Sequence, residues 1–69
     1  MFTVTAHSSD NRRALIATVD EYHYAVAIAT GVRATRHGNG ATGGRVVVAD
    51  TDIPRAMWRI WDDGTTETL

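Results

Sequence analysis

"TVDEYHYAVAIATGVRATRHG", residues 18–38, decides the fold. Read with a period of two, it puts Tyr22, Tyr24, Val26 and Ile28 on one side of a strand. Read with a period of 3.6, it stacks Tyr22, Val26, Ala29 and Arg33 on one helix face. The start of the stretch favours the helix. Thr18 and Glu21 have the spacing of a capping box, in which a hydroxyl and a carboxylate each satisfy a free amide. Asp20 and Glu21 also lie where the helix dipole attracts negative charge. Ala25, Ala27 and Ala29 are better helix formers than strand formers. Arg33, Arg36 and His37 place positive charge in the last turns, and Gly38 suits the close. We therefore read a helix over about 19–36, with a buried stripe of Tyr22, Val26, Ala29 and Val32 or Arg33, and Ala25 beside it. Gly31 opposes this, since glycine inside a helix costs about 1 kcal/mol. An extended chain over 22–28 remains the competing reading.

Outward from the helix, strands and turns alternate. "FTVTAH" (2–7) alternates apolar and polar residues, and "SSDNR" (8–12) is turn chemistry. "RALIATV" (13–19) closes a hairpin. Beyond the helix, "GNGATGG" (38–44) is a loop and "RVVVAD" (45–50) a strand of stiff, β-favouring valines. "DTDIPR" (50–55) turns at Pro54, "AMWRIW" (56–61) is a further strand, and "DDG" (62–64) ends it. "TTETL" (65–69) is expected to be a frayed tail. The expected fold is a single α+β domain over residues 1–64, ordered β-β-α-β-β, with one helix packed on a four-stranded, mainly antiparallel sheet. Because the helix starts where the second strand ends and runs back, the spatial order 2-1-3-4 makes all neighbours antiparallel.

The helix-side core is expected from Phe2, Val4, Ile16 or Leu15, Val46, Val48, Trp58 and Ile60. The other sheet face would carry Thr3, Thr5, Val47, Met57, Arg59 and Trp61, and is too apolar to stay wholly wet. A protein interface on Val47, Met57, Arg59 and Trp61 is expected, formed with a second copy as a homodimer or with another protein. The alternative is a monomer in which Trp61 folds over the sheet edge.

Sixty-nine residues suit one domain, and a chain of this size buries only about 60% of its unfolded surface. The absence of cysteine excludes disulfides and thiolate–zinc ligation. No apolar run approaches the roughly 20 residues of a membrane span. The opening "MFTVTAHSSD" lacks the order of a signal peptide, so a cytoplasmic address and no membrane partner are expected. Net charge is −1, which gives no global attraction to nucleic acid. All seven basic residues are arginine, whose forked donors suit phosphate and carboxylate. A high-GC genome produces the same bias.

Gly38, Gly40 and Gly43 match G-x-G-x-x-G, but the dinucleotide fingerprint needs a strand before it and a helix after. Here the order is reversed, and no cofactor is expected. Without lysine there is no P-loop. The topology gathers Arg12, Arg13, Arg33, Arg36 and Arg45 near one pole beside the glycine loop, where guanidinium forks and backbone amides suit a phosphate or a nucleic-acid backbone. Asp10, Asp62 and Asp63 fall nearby and would neutralise part of that charge. His7, His23 and His37 lack metal-ligand spacing, and no metal is expected. Asp50 and Asp52 flank a turn and read as turn residues. Ser8 and Ser9 lack the context of a nucleophile, and no enzyme is expected.

Arginine without lysine, abundant Ala, Thr, Val and Gly, and the hairpin "VVVADTDIPRAMWRIWDDG" (46–64) resemble small orphan proteins of actinobacteria and their phages. The resemblance is one of style and assigns no functional residue. It implies an accessory, non-enzymatic protein, of the kind that phages encode, that acts by binding a host protein. Nucleic-acid or phosphate binding through the arginine pole is the alternative function.

Overall fold

In the computed structural model, which describes residues 1–69, β1 (Phe2–His7) and β2 (Arg13–Val19) form an antiparallel hairpin. α1 (Tyr22–Gly38) follows, then β3 (Arg45–Asp50), β4 (Arg55–Trp61) and β5 (Thr66–Thr68). The strands lie in the order β2-β1-β3-β4-β5, every pair antiparallel. The α+β architecture and the neighbour order 2-1-3-4 are those read from the sequence. The sheet has five strands rather than four. Residues expected to fray instead pair with β4, Thr66 opposite Ile60 and Thr68 opposite Trp58. The "DDG" stretch is a hairpin turn rather than a terminus. Gly64 takes a positive φ of 92°, Asp63 Oδ1 accepts from the Thr65 amide at 2.9 Å, and β-branched threonines continue into the strand.

The helix starts three residues later than expected, at Tyr22, and ends at Gly38. Thr18 caps nothing. It lies in β2 opposite Thr3, and the ladder runs on to Val19 opposite Phe2, so strand pairing takes the hydroxyl residue of the proposed capping box. Glu21 is the N-cap in an extended conformation without a side-chain cap bond, and its carboxylate meets His23 Nε2 at 3.0 Å. Arg36 and His37 do occupy the last turn.

Val4, Val46 and Val48 are fully buried beneath Ala25 and Ala29, with Ile60 beside them. The two alanines are one helical turn apart, so a smooth face of α1 comes close to the valine floor. Phe2, Val19, Tyr22, Val26, Ile28, Val32 and Trp58 enclose this centre. Phe2 and Tyr22 meet edge to face, ring centroids 5.6 Å apart. Leu15 and Ile16, one of which was expected inside, are 65% and 44% exposed. A β-bulge between Val4 and Thr5 puts Ala17 opposite Val4 and Leu15 opposite Thr5. Ile16 is the extra residue, and the slip turns Leu15 away from the helix.

Gly31 lies on the exposed side of α1, and a Cβ there would meet nothing within 4 Å. Gly31→Ala is therefore expected to stabilise the domain by about 1 kcal/mol. In a chain of this size that raises the thermal midpoint by roughly 4–8 °C, measurable by circular dichroism; an unchanged or lower midpoint contradicts the assignment.

Candidate functional site

Five of the seven arginines were expected at one pole. The structure brings them to that end but divides them between the two sides of the sheet. On the helix side, Arg36 and Asp62 form a bidentate pair, Nε to Oδ1 and Nη2 to Oδ2, both at 2.9 Å. Asp62 is only 3% exposed. Its Oδ2 also accepts the Gly44 amide at 2.9 Å, and its own amide donates to the Gly44 carbonyl at 3.0 Å. Arg33 grips the Asp62 carbonyl through Nε and Nη2 at 3.2 and 3.1 Å. Arg36 Nη2 reaches the His7 carbonyl at 3.4 Å. Arg33 and Arg36 are thus structural clamps between α1, β1, β3 and β4. Arg12, in the β1–β2 turn, pairs with Asp10 at 3.2 Å and is largely solvent-exposed.

The Arg36 fork holds the Asp62 carboxyl below its ordinary value of 3.8, opposed by burial and aided by the Gly44 amide and by the charges of Arg36 and Arg33. Gly44, outside the G-x-G-x-x-G match, is the glycine of this loop with no room for a side chain, whereas Gly40 and Gly43 are needed for their positive φ of 80° and 75°. A Cβ at Gly44 would overlap Arg36 Nη2 and the His7 carbonyl oxygen.

Arg13 and Arg45 belong to the other side of the sheet, which no element covers. Cross-strand partners share a face, so the registers describe three lateral rows. Arg13, His7, Arg45 and Trp61 form the first, across β2, β1, β3 and β4. Leu15, Thr5, Val47, Arg59 and Glu67 form the second. Thr18, Thr3, Ala49 and Ala56 form the third. Two guanidiniums lie over the Trp61 ring, Arg45 at 5.5 Å and Arg59 at 5.4 Å from its centroid. Arg59 also pairs with Glu67 at 2.6 Å, and its Nε is buried without a partner. Of the expected interface residues, Val47, Arg59 and Trp61 share this face. Met57 is the extra residue of a second bulge, between the pairs Val48–Trp58 and Ala49–Ala56.

A shallow depression of about 490 Å³ runs along β1 on this face. Thr3, Thr5, Val47 and Ala49 line it, with Arg13 towards one end and Arg55 towards the other. Arginine ion pairs are made by Arg12, Arg36 and Arg59, and Arg33 is held by a carbonyl. Arg13, Arg45 and Arg55 make neither an ion pair nor a side-chain hydrogen bond; Arg13 and Arg45 lie in the first row, and Arg55 lines the far end of the depression together with its cross-strand neighbour Asp50. His7, between Arg13 and Arg45, has its pKa lowered by partial burial and then by those two charges. Sequence reasoning omitted His7 and Arg55. The signal for His7 was present: it is in phase with Thr3 and Thr5, and the order 2-1-3-4 sets it between residues 13 and 45. Asp50 accepts the Asp52 amide at 2.9 Å, the turn role read for it. No cluster of three His, Cys, Asp or Glu side chains is placed to hold a metal ion.

Asp62→Ala strands the Arg36 fork and the Gly44 amide and is expected to cost about 3 kcal/mol or more. In the wild type the stabilisation from Asp62 is present above the unfolded carboxylate value of 3.8 and is lost as pH falls through the lower folded value. Acid unfolding of the variant should lack that component; an unchanged denaturant midpoint and acid profile would refute the clamp. His7 should titrate below 6.5 by NMR and rise in Arg13→Gln and in Arg45→Gln. Its lowered pKa removes stability as pH drops from 6.5 through the folded value. No protein-family model matches the chain, and neither a curated protein nor a solved structure matches it.

Proposed function

We propose that this chain is a small non-enzymatic binding module whose working surface is the uncovered sheet face, and that its partner presents negative charge there. The observation that carries the reading is a depression that no helix covers, lined by Arg13 and Arg55 with Arg45 beside its His7 edge, against one lining carboxylate, Asp50, opposite Arg55. The three rows of the face hold three arginines against one carboxylate, Glu67, in a chain whose net charge is −1. Guanidiniums stay protonated at working pH and serve recognition rather than proton transfer. Apolar side chains between the charges, Leu15, Val47 and the Trp61 ring, supply area that a partner would dehydrate.

The same charges argue against a second copy on this face. Apposing two such faces sets unpaired arginines against like charge, which costs stability. An acidic partner is complementary instead. The resemblance to small phage and actinobacterial proteins implies a host protein as that partner, and the arginines of this face carry the alternative, nucleic-acid or phosphate binding.

NMR titration with acidic polymers tests this. Backbone amides of Thr3, Thr5, His7 and Val47 and the Trp61 indole are expected to shift, while Ala27 and Thr30 on the outer side of α1 stay still. The double variant Arg13→Gln/Arg45→Gln should bind about a hundredfold more weakly or worse, since hydrogen bonds to charged groups are worth about 1.5–3 kcal/mol each. Shifts centred on the helix, or no binding at low salt, would sink the proposal.

A further inference from the structure

Building on that reading of the open face, we infer that its occupant is single-stranded nucleic acid, with phosphates on the Arg13–His7–Arg45 row and a base against Trp61. The cation layout argues for a polymer. Arg13 and Arg45 flank His7 from opposite sides, two strand spacings or roughly 10 Å apart. Arg55 stands at the far end of β1, opposite the Asp50 that pairs with Phe2. From His7 to Phe2 the strand spans roughly 17 Å. One compact anion cannot reach all three guanidiniums, whereas a chain with a charge at every repeat can. Threonines 3 and 5 line the path between them, and their hydroxyls are the neutral donors that phosphate and sugar oxygens accept.

Trp61 separates nucleic acid from an acidic peptide. It ends the cationic row, beside Arg45, and both Arg45 and Arg59 lie against its ring. Unpaired bases stack on indole rings and on guanidinium planes alike. A glutamate or aspartate side chain has no π-face to offer. A duplex keeps its bases paired and stacked inside, out of reach of a flat sheet face. The row is also costly to the free protein, since like charges side by side across strands destabilise a sheet. His7 relieves this by remaining neutral between Arg13 on β2 and Arg45 on β3, while Arg36 on α1 donates to its carbonyl from the far side of the sheet. A phosphate settling between the two arginines removes that repulsion and favours the protonated imidazole, so binding tightens as pH falls.

The experiment is fluorescence anisotropy with a labelled short oligothymidylate, competed by the same strand as a duplex, by polyglutamate, by thymidine triphosphate and by inorganic phosphate. The single strand should bind best. Its log–log salt slope should be about −2, as three phosphate contacts on a single strand require. Arg13→Gln and Arg45→Gln should each reduce the slope by about 0.7, with spectra showing an intact fold. Trp61→Ala should weaken binding roughly tenfold without changing the slope. Trp61→Phe, which retains a ring, should recover part of that loss and serves if the alanine variant does not fold. The His7 imidazole should titrate higher in the complex than in the free protein. Polyglutamate or the duplex competing as well as the single strand overturns the inference while leaving an acidic-partner module intact. Triphosphate or phosphate competing equally overturns it in favour of a free anion. Absence of binding by every polyanion at low salt overturns both readings.

Discussion

A single carboxylate ties together the chain segments that make this domain. Asp62 follows β4, and its side chain joins the fork of Arg36 at the end of α1 to the amide of Gly44 before β3. Arg36 extends the connection to the carbonyl of His7, the last residue of β1. Four elements therefore meet on one buried charge pair. The geometry needs arginine: two parallel N–H donors match two carboxylate oxygens, and a lysine ammonium has no such fork. It needs glycine at position 44, because a backbone carbonyl and a guanidinium occupy the volume of a Cβ. In a core whose fully buried larger side chains are three valines, this pair fixes the helix on the sheet.

That constraint also sorts the arginines. Two are immobilised around Asp62 on the helix side, and the three that make neither an ion pair nor a side-chain hydrogen bond lie along the bare face. A chain with net charge −1 thus has one basic surface without being a basic protein, because its carboxylates lie mostly in turns or pair on the spot. Asp10 engages Arg12, Asp50 closes its own turn, and Asp62 is buried. Net charge describes the whole chain and is silent on such sorting.

What was legible in the sequence was whatever repeats. The helix, the valine floor and the antiparallel order follow from periods of 3.6 and 2 and from where each element must start. What was hidden depends on single residues or on partners distant in sequence. The bulge at Ile16 changes phase once, and alternation then points Leu15 the wrong way. Thr18 has capping chemistry, but strand pairing with Thr3 claims it. Thr66 to Thr68 look like a loose end until β4 offers a ladder. Arg33 and Arg36 carry the same charge as Arg13 and Arg45, and only three-dimensional placement shows that the first pair is committed to Asp62. That Val47, Arg59 and Trp61 share one face of the sheet was legible from alternation along their strands. His7 was judged only as a metal ligand and so overlooked as the centre of a row.

The bulge in β2 has an effect beyond misleading the eye. β2 is an outer strand whose Leu15 and Ile16 are open to water. A straight, unbroken strand of that composition would be a template on which neighbouring molecules add their own strands. One surplus residue twists the backbone and throws the outward-pointing amides and carbonyls out of step, so a passing chain finds no long run of bonds to copy. One side of the sheet is bare, and the border beside it is a poor seed for further strands.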